Sequence, residues 1–186
     1  MYNYSTIIQG LYINTICEIE LAKKHNLKIF GGVGLNIFND FTLNNNDLDF
    51  VTLSTELNSN EIKQLNQNKN RIFLYAFGKL PLMTFAHCTN NNGKYNCKNC
   101  NNNENIRFAD KKYQFNIIRT KINNCYFTLY NSFTTNIVDF CTKNNTNIYL
   151  DMVQYTKDIN IIFDNIIYNK KFDGNFTLGH LNRGVK

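Results

Sequence analysis

The chain's one proline, Pro81, opens the stretch LPLMTFAHC (80–88), and after an asparagine-rich run comes CKNC (97–100). A His87-Cys88 pair followed by Cys97-x-x-Cys100 has the look of a ligand set, because a thiolate is both a metal ligand and a nucleophile. The first residues, Met1-Tyr2-Asn3-Tyr4, lack the basic segment and apolar run of a secretory signal. No stretch reaches the roughly 20 apolar residues of a membrane helix. A cytoplasmic location is therefore expected, and in a reducing cytosol six cysteines are better suited to metal binding or catalysis than to disulfides.

The elements that must position these groups alternate between helix and strand patterns. Thr15-x-x-Glu18 is a capping-box pattern opening a short helix through Lys24, and LKIFGGV (27–33) reads as a buried strand. Then come a strand LDFVTL (48–53), a helix from about 58 to 68 with Glu61 three residues past its cap, and a strand RIFLYAF (71–77). Strands that start near 27, 48 and 71 have the rhythm of β/α units in a parallel sheet. Beyond the cysteine loop the pattern resumes with YQFNII (113–118), CYFTLY (125–130), a helix near 134–143, a strand NIYLDMV (147–153) and a helix from about 157 to 168. The expected class is α/β.

At 186 residues, 43% of them hydrophobic, the chain has enough material for one globular domain spanning 1–186. A formal charge of +6 and a pI near 8.9 favour a polyanionic partner such as RNA, although the basic residues are scattered singly or in pairs. Asparagine runs at 44–46, 90–92 and 101–103 fall between periodic segments, where this residue tolerates turn geometry.

Parallel β/α folds place their chemistry where the strands end. On these boundaries Asn36 and Asn39 follow the first strand, Ser54 and Glu56 the second, and Gly78 through Cys100 the third. Glu56 is the best carboxylate for proton transfer or substrate binding, with a helix N-terminal charge as its ordinary alternative. Asn36 and Asn39 can read the edge of a small ligand or simply serve a loop. His87 can be an acid/base group, a hydrogen-bond partner beside a ligand, or a packing residue.

The segments LKIFGGVGLNIFN, VTLSTEL, GKLPLMTFAHC, CKNC, the surroundings of Asp110, Cys125 with Asn131-Ser132, and FTLGHLNRGVK (176–186) fall in the order found in the peptidase U32 family, which the chain resembles along nearly its whole length. The resemblance implies the C-terminal half of a TIM-like barrel with a cysteine-bearing loop insertion, and a protein partner that completes the barrel. It also assigns Cys88, Cys97, Cys100 and Cys125 as metal ligands. Four thiolates suit a [4Fe-4S] cluster, and the same set can hold tetrahedral zinc; spacing does not separate them. Family branches that are iron-sulfur proteins, installing oxygen on a tRNA uridine or a quinone precursor without molecular oxygen, favour the cluster. The same resemblance returns His180 and Arg183 to the barrel, with Arg183 suited to a phosphate or carboxylate. Cys17 and Cys141, on helices, read as small buried hydrophobes.

Three function classes follow. The first is an iron-sulfur hydroxylase acting on tRNA or a related substrate. The second is a protease, as the family name has it, yet the sequence holds neither Gly-x-Ser-x-Gly nor His-Glu-x-x-His. Cys88 paired with distant His180 would be its nucleophile and base, a poor use of a thiolate grouped with other ligands. The third is a non-catalytic subunit, favoured by the implied half barrel and by Thr89, where the family pattern has proline, with milder departures at Lys79 and after Asp110.

Overall fold

The computed structural model describes residues 7–65, 70–89, 106–121, 124–154, 159–168 and 170–183. From the N-terminus these form β1 (Gly10–Ile13), α1 (Cys17–Lys24), β2 (Lys28–Gly31), α2 (Asp40–Asn44), β3 (Phe50–Thr52), α3 (Ser59–Leu65) and β4 (Ile72–Gly78). Next come β5 (Pro81–Phe85), β6 (Ile106–Ala109), β7 (Gln114–Lys121) and β8 (Cys125–Tyr130), then β9 (Thr134–Asn136), α4 (Val138–Lys143), β10 (Asn147–Leu150), α5 (Ile159–Ile167) and β11 (Phe176–Thr177). The chain divides into two compact units, one of residues 1–78, 136–173 and 177–186, the other of 79–135 and 174–176.

The first unit is α/β, built on a parallel sheet in which β1, β2, β3, β4 and β10 lie side by side in that order. Alternation along each strand divides the sheet into two faces. One carries Ile13, Ile29, Val51, Leu53, Ile72 and Leu74, each no more than 3% exposed. Helix α1 packs on β1 and β2, and α4 on β4 and β10, adding buried Ala22, Val138 and Cys141 to this core. The other face is aromatic: Tyr12, Phe30 and Phe50 share one register line, and Tyr75 and Tyr149 another. Phe30 stacks on Phe50 with ring centroids 4.6 Å apart, and Phe50 meets Phe73 edge-on at 5.9 Å. These are cross-strand pairs of the kind that stabilise a sheet.

The helix starts show how local sequence sets the frame. Asn58 caps α3 by accepting from the N–H groups of Asn60 and Glu61 at 2.9 and 3.1 Å, while Glu61 reaches back to the Asn58 N–H at 2.7 Å. This is a reciprocal capping box. At α1 only half of the pattern forms. Glu18 accepts from the N–H groups of Asn14 and Thr15 at 2.9 and 3.0 Å, but the Thr15 hydroxyl lies 3.1 Å from Cys17 Sγ and makes no cap. The chain leaves α1 and α4 through Asn26 and Asn145, both in the left-handed region, which asparagine tolerates better than most residues.

Those two backbone hydrogen bonds hold the Glu18 carboxyl below its ordinary 4.5. A depressed folded value means that the contribution is complete above pH 4.5 and fades as pH falls through the lowered value. Glu18→Gln is therefore expected to flatten the acid limb of stability. Thermal melts between about pH 6 and about pH 3 check this, and parallel acid limbs in the two proteins would refute it.

The sequence reading needs two corrections here. β1 precedes α1 and was not anticipated from GLYI (10–13). The strands at 114–121 and 125–130 do not continue the parallel pattern: with β5 and β6 they form an antiparallel sheet in the order β5-β8-β7-β6, the core of the second unit. Short hairpin-type returns leave no helix to cross over, so antiparallel pairing is the geometry available. Asp110 makes the β6–β7 turn, its Oδ1 accepting from the N–H groups of Lys112 and Tyr113, both at 2.7 Å. Phe127, 1% exposed, and Ile117, 6%, fill the buried face, with Phe85 stacked on Phe127 at 5.7 Å. The parallel sheet is shown without closure into a barrel.

Candidate functional site

The second unit holds the cysteines of interest. β5 and β8 run antiparallel, with Thr84 opposite Thr128 and Phe85 opposite Phe127. The pairing stops there: His87 and Cys88 follow the end of β5 by two and three residues, and Cys125, two residues before Phe127, opens β8. Two cysteines 37 positions apart in sequence thus reach the same end of one sheet. On the other side of β8, Lys121 of β7 is the direct cross-strand partner of Cys125. Residues so paired project from the same face of the sheet. Cys88 and Cys125 are half-buried and His87 is exposed. Cys97 and Cys100 lie outside the described residues. Among the described residues no three His, Cys, Asp or Glu side chains are gathered as a metal site.

The donor set fits a thiophilic metal. A cysteine at the end of β5 and another at the start of β8 would be two ligands, and the Cys97-x-x-Cys100 pair in the connection from β5 to β6 would supply two more. Lys121 would offset part of the anionic charge of such a centre. The remaining cysteines differ from this pair: Cys17 is exposed on α1, a correction to the buried role its sequence suggested, and Cys141 is fully buried, its thiol pushed up to about 12 by burial.

The other candidates belong to the first unit, at the C-terminal edge of its parallel strands. Asn36 ends a tight helical turn at φ 48°, ψ 52°, so its backbone role is a left-handed exit. Asn39 caps α2: its Oδ1 accepts from the Thr42 N–H at 2.8 Å and from the Thr42 hydroxyl at 3.0 Å, which engages the amide oxygen locally. Glu56 is exposed just past β3, its N–H donating to Ser54 Oγ at 3.3 Å. The turn carrying half-buried His180 and exposed Arg183 is anchored beside it, because the Ser59 N–H at the start of α3 donates to the Leu181 carbonyl at 2.8 Å. Asn36, Glu56, His180 and Arg183 therefore share one edge. Glu56 and His87 do not share a unit.

A cluster that the sequence reading passed over sits at the same edge. Tyr12 of β1 stacks on Tyr149 of β10 with centroids 5.3 Å apart and planes 5° from parallel, and Tyr149 leans on Tyr75 of β4 at 5.6 Å. The Tyr75 hydroxyl donates to Asp151 Oδ2 at 3.0 Å, and the Val153 N–H donates to Oδ1 at 3.1 Å. Burial, a hydrogen bond with Tyr12 and the nearby Asp151 charge all raise the Tyr149 phenol, so it stays protonated at neutral pH. Two glycines make the arrangement possible. A Cβ on Gly32 would lie 2.5 Å from the Tyr12 hydroxyl and collide with the Asn14 amide, and one on Gly78 would lie 2.5 Å from the Tyr75 hydroxyl. These tyrosines are more than 60 residues apart along the chain, so no local spacing marks them; their one signal is a tyrosine in a strand whose neighbours alternate with aliphatic residues.

No helix among the described residues is long and apolar enough to cross a membrane. Searched against family models, curated proteins and solved structures, the chain matches none.

Proposed function

We propose that the protein holds a four-thiolate metal centre, a [4Fe-4S] cluster in preference to zinc, on Cys88, Cys97, Cys100 and Cys125. The single observation that supports this reading is the antiparallel pairing of β5 with β8, since Cys88 lies three residues past the end of β5 and Cys125 is the first residue of β8. Such a cluster would supply one-electron transfer. The chain's own residues do the rest. In this reading Lys121, the cross-strand partner of Cys125, would supply a nearby cation, and His87, adjacent to Cys88, would donate a hydrogen bond to a ligand sulfur.

In this reading the parallel unit is the C-terminal half of a TIM-like barrel, and substrate meets its strand ends near Glu56, His180 and Arg183. The activity is oxygen-independent hydroxylation of tRNA or a related substrate, as the U32 resemblance implies, with a protein partner completing the barrel. The net positive charge is consistent with an RNA substrate.

Anaerobic purification followed by metal and sulfide analysis tests the centre. About four irons and four sulfides per chain, with oxygen-sensitive brown absorbance, are expected. About one zinc per chain would reassign the same ligands to a tetrahedral site. Neither metal above trace level would overturn the proposal.

A further inference from the structure

The tyrosine cluster of the first unit belongs to no part of the metal-centre proposal, and its chemistry is of a different kind. Three phenol rings, one carboxylate and the Asn14 amide converge at the C-terminal edge of a parallel sheet, the position where β/α folds bind small molecules. Tyr12, 43% exposed, offers ring surface to solvent while its neighbour Tyr149 holds it from behind. Asp151 has two oxygens with about four acceptor sites. One is taken by the Tyr75 hydroxyl and one by the Val153 N–H. Asn14 Oδ1 is fixed by the Gly34 N–H at 3.1 Å, which orients its amide.

The charge pattern narrows the class of ligand. The one charged group among these side chains is a carboxylate, so phosphates and carboxylates are repelled and hydroxyl donors are favoured. A flat aromatic face next to a carboxylate, an amide and phenol hydroxyls offers stacking for a ring's C–H surface, together with acceptors and donors for its hydroxyls. At Gly32 and Gly78 any Cβ would collide with Tyr12, Asn14 or Tyr75, so the backbone is shaped around this group of side chains.

We infer that Tyr12, Asn14, Tyr75, Tyr149 and Asp151 form a binding site for a neutral cyclic polyol, a monosaccharide ring laid on Tyr12 with its hydroxyls on Asp151 and Asn14. The site is complete within one unit and needs no metal.

The chain has 11 tyrosines and no tryptophan, so tyrosine fluorescence reports directly on titration of the full-length protein. D-glucose and D-ribose are the probes, with saturation-transfer NMR as a second readout and inorganic phosphate and choline as comparison ligands. Saturable sugar binding is expected with a dissociation constant in about the millimolar range, as suits so few contacts. Tyr12→Ala should weaken it at least about tenfold, and Tyr12→Phe, which keeps the ring and the fold, should weaken it less. Absence of sugar binding by both readouts would overturn the inference. So would a Tyr12→Ala protein that binds sugar like the parent, or saturable binding of choline in place of the sugars, which would mark a cation site.

Discussion

Cys125→Ala is expected to lower bound metal by about tenfold or more, while Cys17→Ala leaves the metal content of the parent. Cys125 is the one candidate ligand carried by β8, opposite Lys121 and beyond the last β5–β8 pair. The other three come from a single stretch between the end of β5 and the start of β6. Without Cys125 a closed four-ligand site becomes a three-ligand local loop, and the entropy of ordering that loop is no longer offset by its attachment to the sheet. Cys97→Ala should match Cys125→Ala. Cys17, exposed on α1 and 3.1 Å from the Thr15 hydroxyl, is not one of the proposed ligands. Cys141→Ala affects packing alone, because a fully buried thiol pushed up to about 12 is not a thiolate at neutral pH. Metal analysis of the four variants beside the parent decides the matter. Equal metal loss in Cys17→Ala and Cys125→Ala would sink the assignment.

How much of this was legible in the sequence depends on the range of the interactions involved. The parallel β/α rhythm was readable because the strands are short apolar segments with aliphatic residues at alternate positions, as with Ile72, Leu74 and Ala76. The start of α3 was readable because Asn58 and Glu61 act on each other within one turn. The antiparallel character of β5 to β8 was not, since the strand pattern is the same whichever direction a partner runs. Strand β5 itself was hidden: four of its five residues are exposed, and Pro81 argues against a central strand though not against an edge. Asn36 and Asn39 show the opposite error. Their types suit ligand binding, yet Asn36 serves a left-handed backbone exit and Asn39 Oδ1 is engaged by Thr42 three residues along the chain. The tyrosine cluster is assembled wholly by tertiary structure, from β1, β4 and β10, and composition alone gives no reason to group those three among 11 tyrosines.

Gly78→Ala is expected to cost about 3 kcal/mol or more, lowering the midpoint of thermal unfolding by roughly 6–12 °C in a chain of this size. Two effects combine at this residue. Its φ of +144° is a conformation that L side chains rarely adopt, and a Cβ there would lie 2.5 Å from the Tyr75 hydroxyl and 2.7 Å from both Cβ and the carbonyl oxygen of Asp151. The Tyr75 ring is 3% exposed and cannot swing away without opening the core, while Asp151 is fixed to β4 through its N–H, which donates to the Phe77 carbonyl at 2.8 Å. Relief therefore requires β10 to move off β4, or the Tyr75–Asp151 hydrogen bond to break. Gly179 separates the two effects. It has a φ of +58° with nothing within 4 Å of its would-be Cβ, so Gly179→Ala carries backbone strain alone, about 1 kcal/mol. Chemical denaturation of both variants measures the difference, which is the steric part. Equal losses at the two positions would mean that the close approach of Tyr75 and Asp151 to Gly78 does not exist in solution, and the polyol site built on that approach would fall with it.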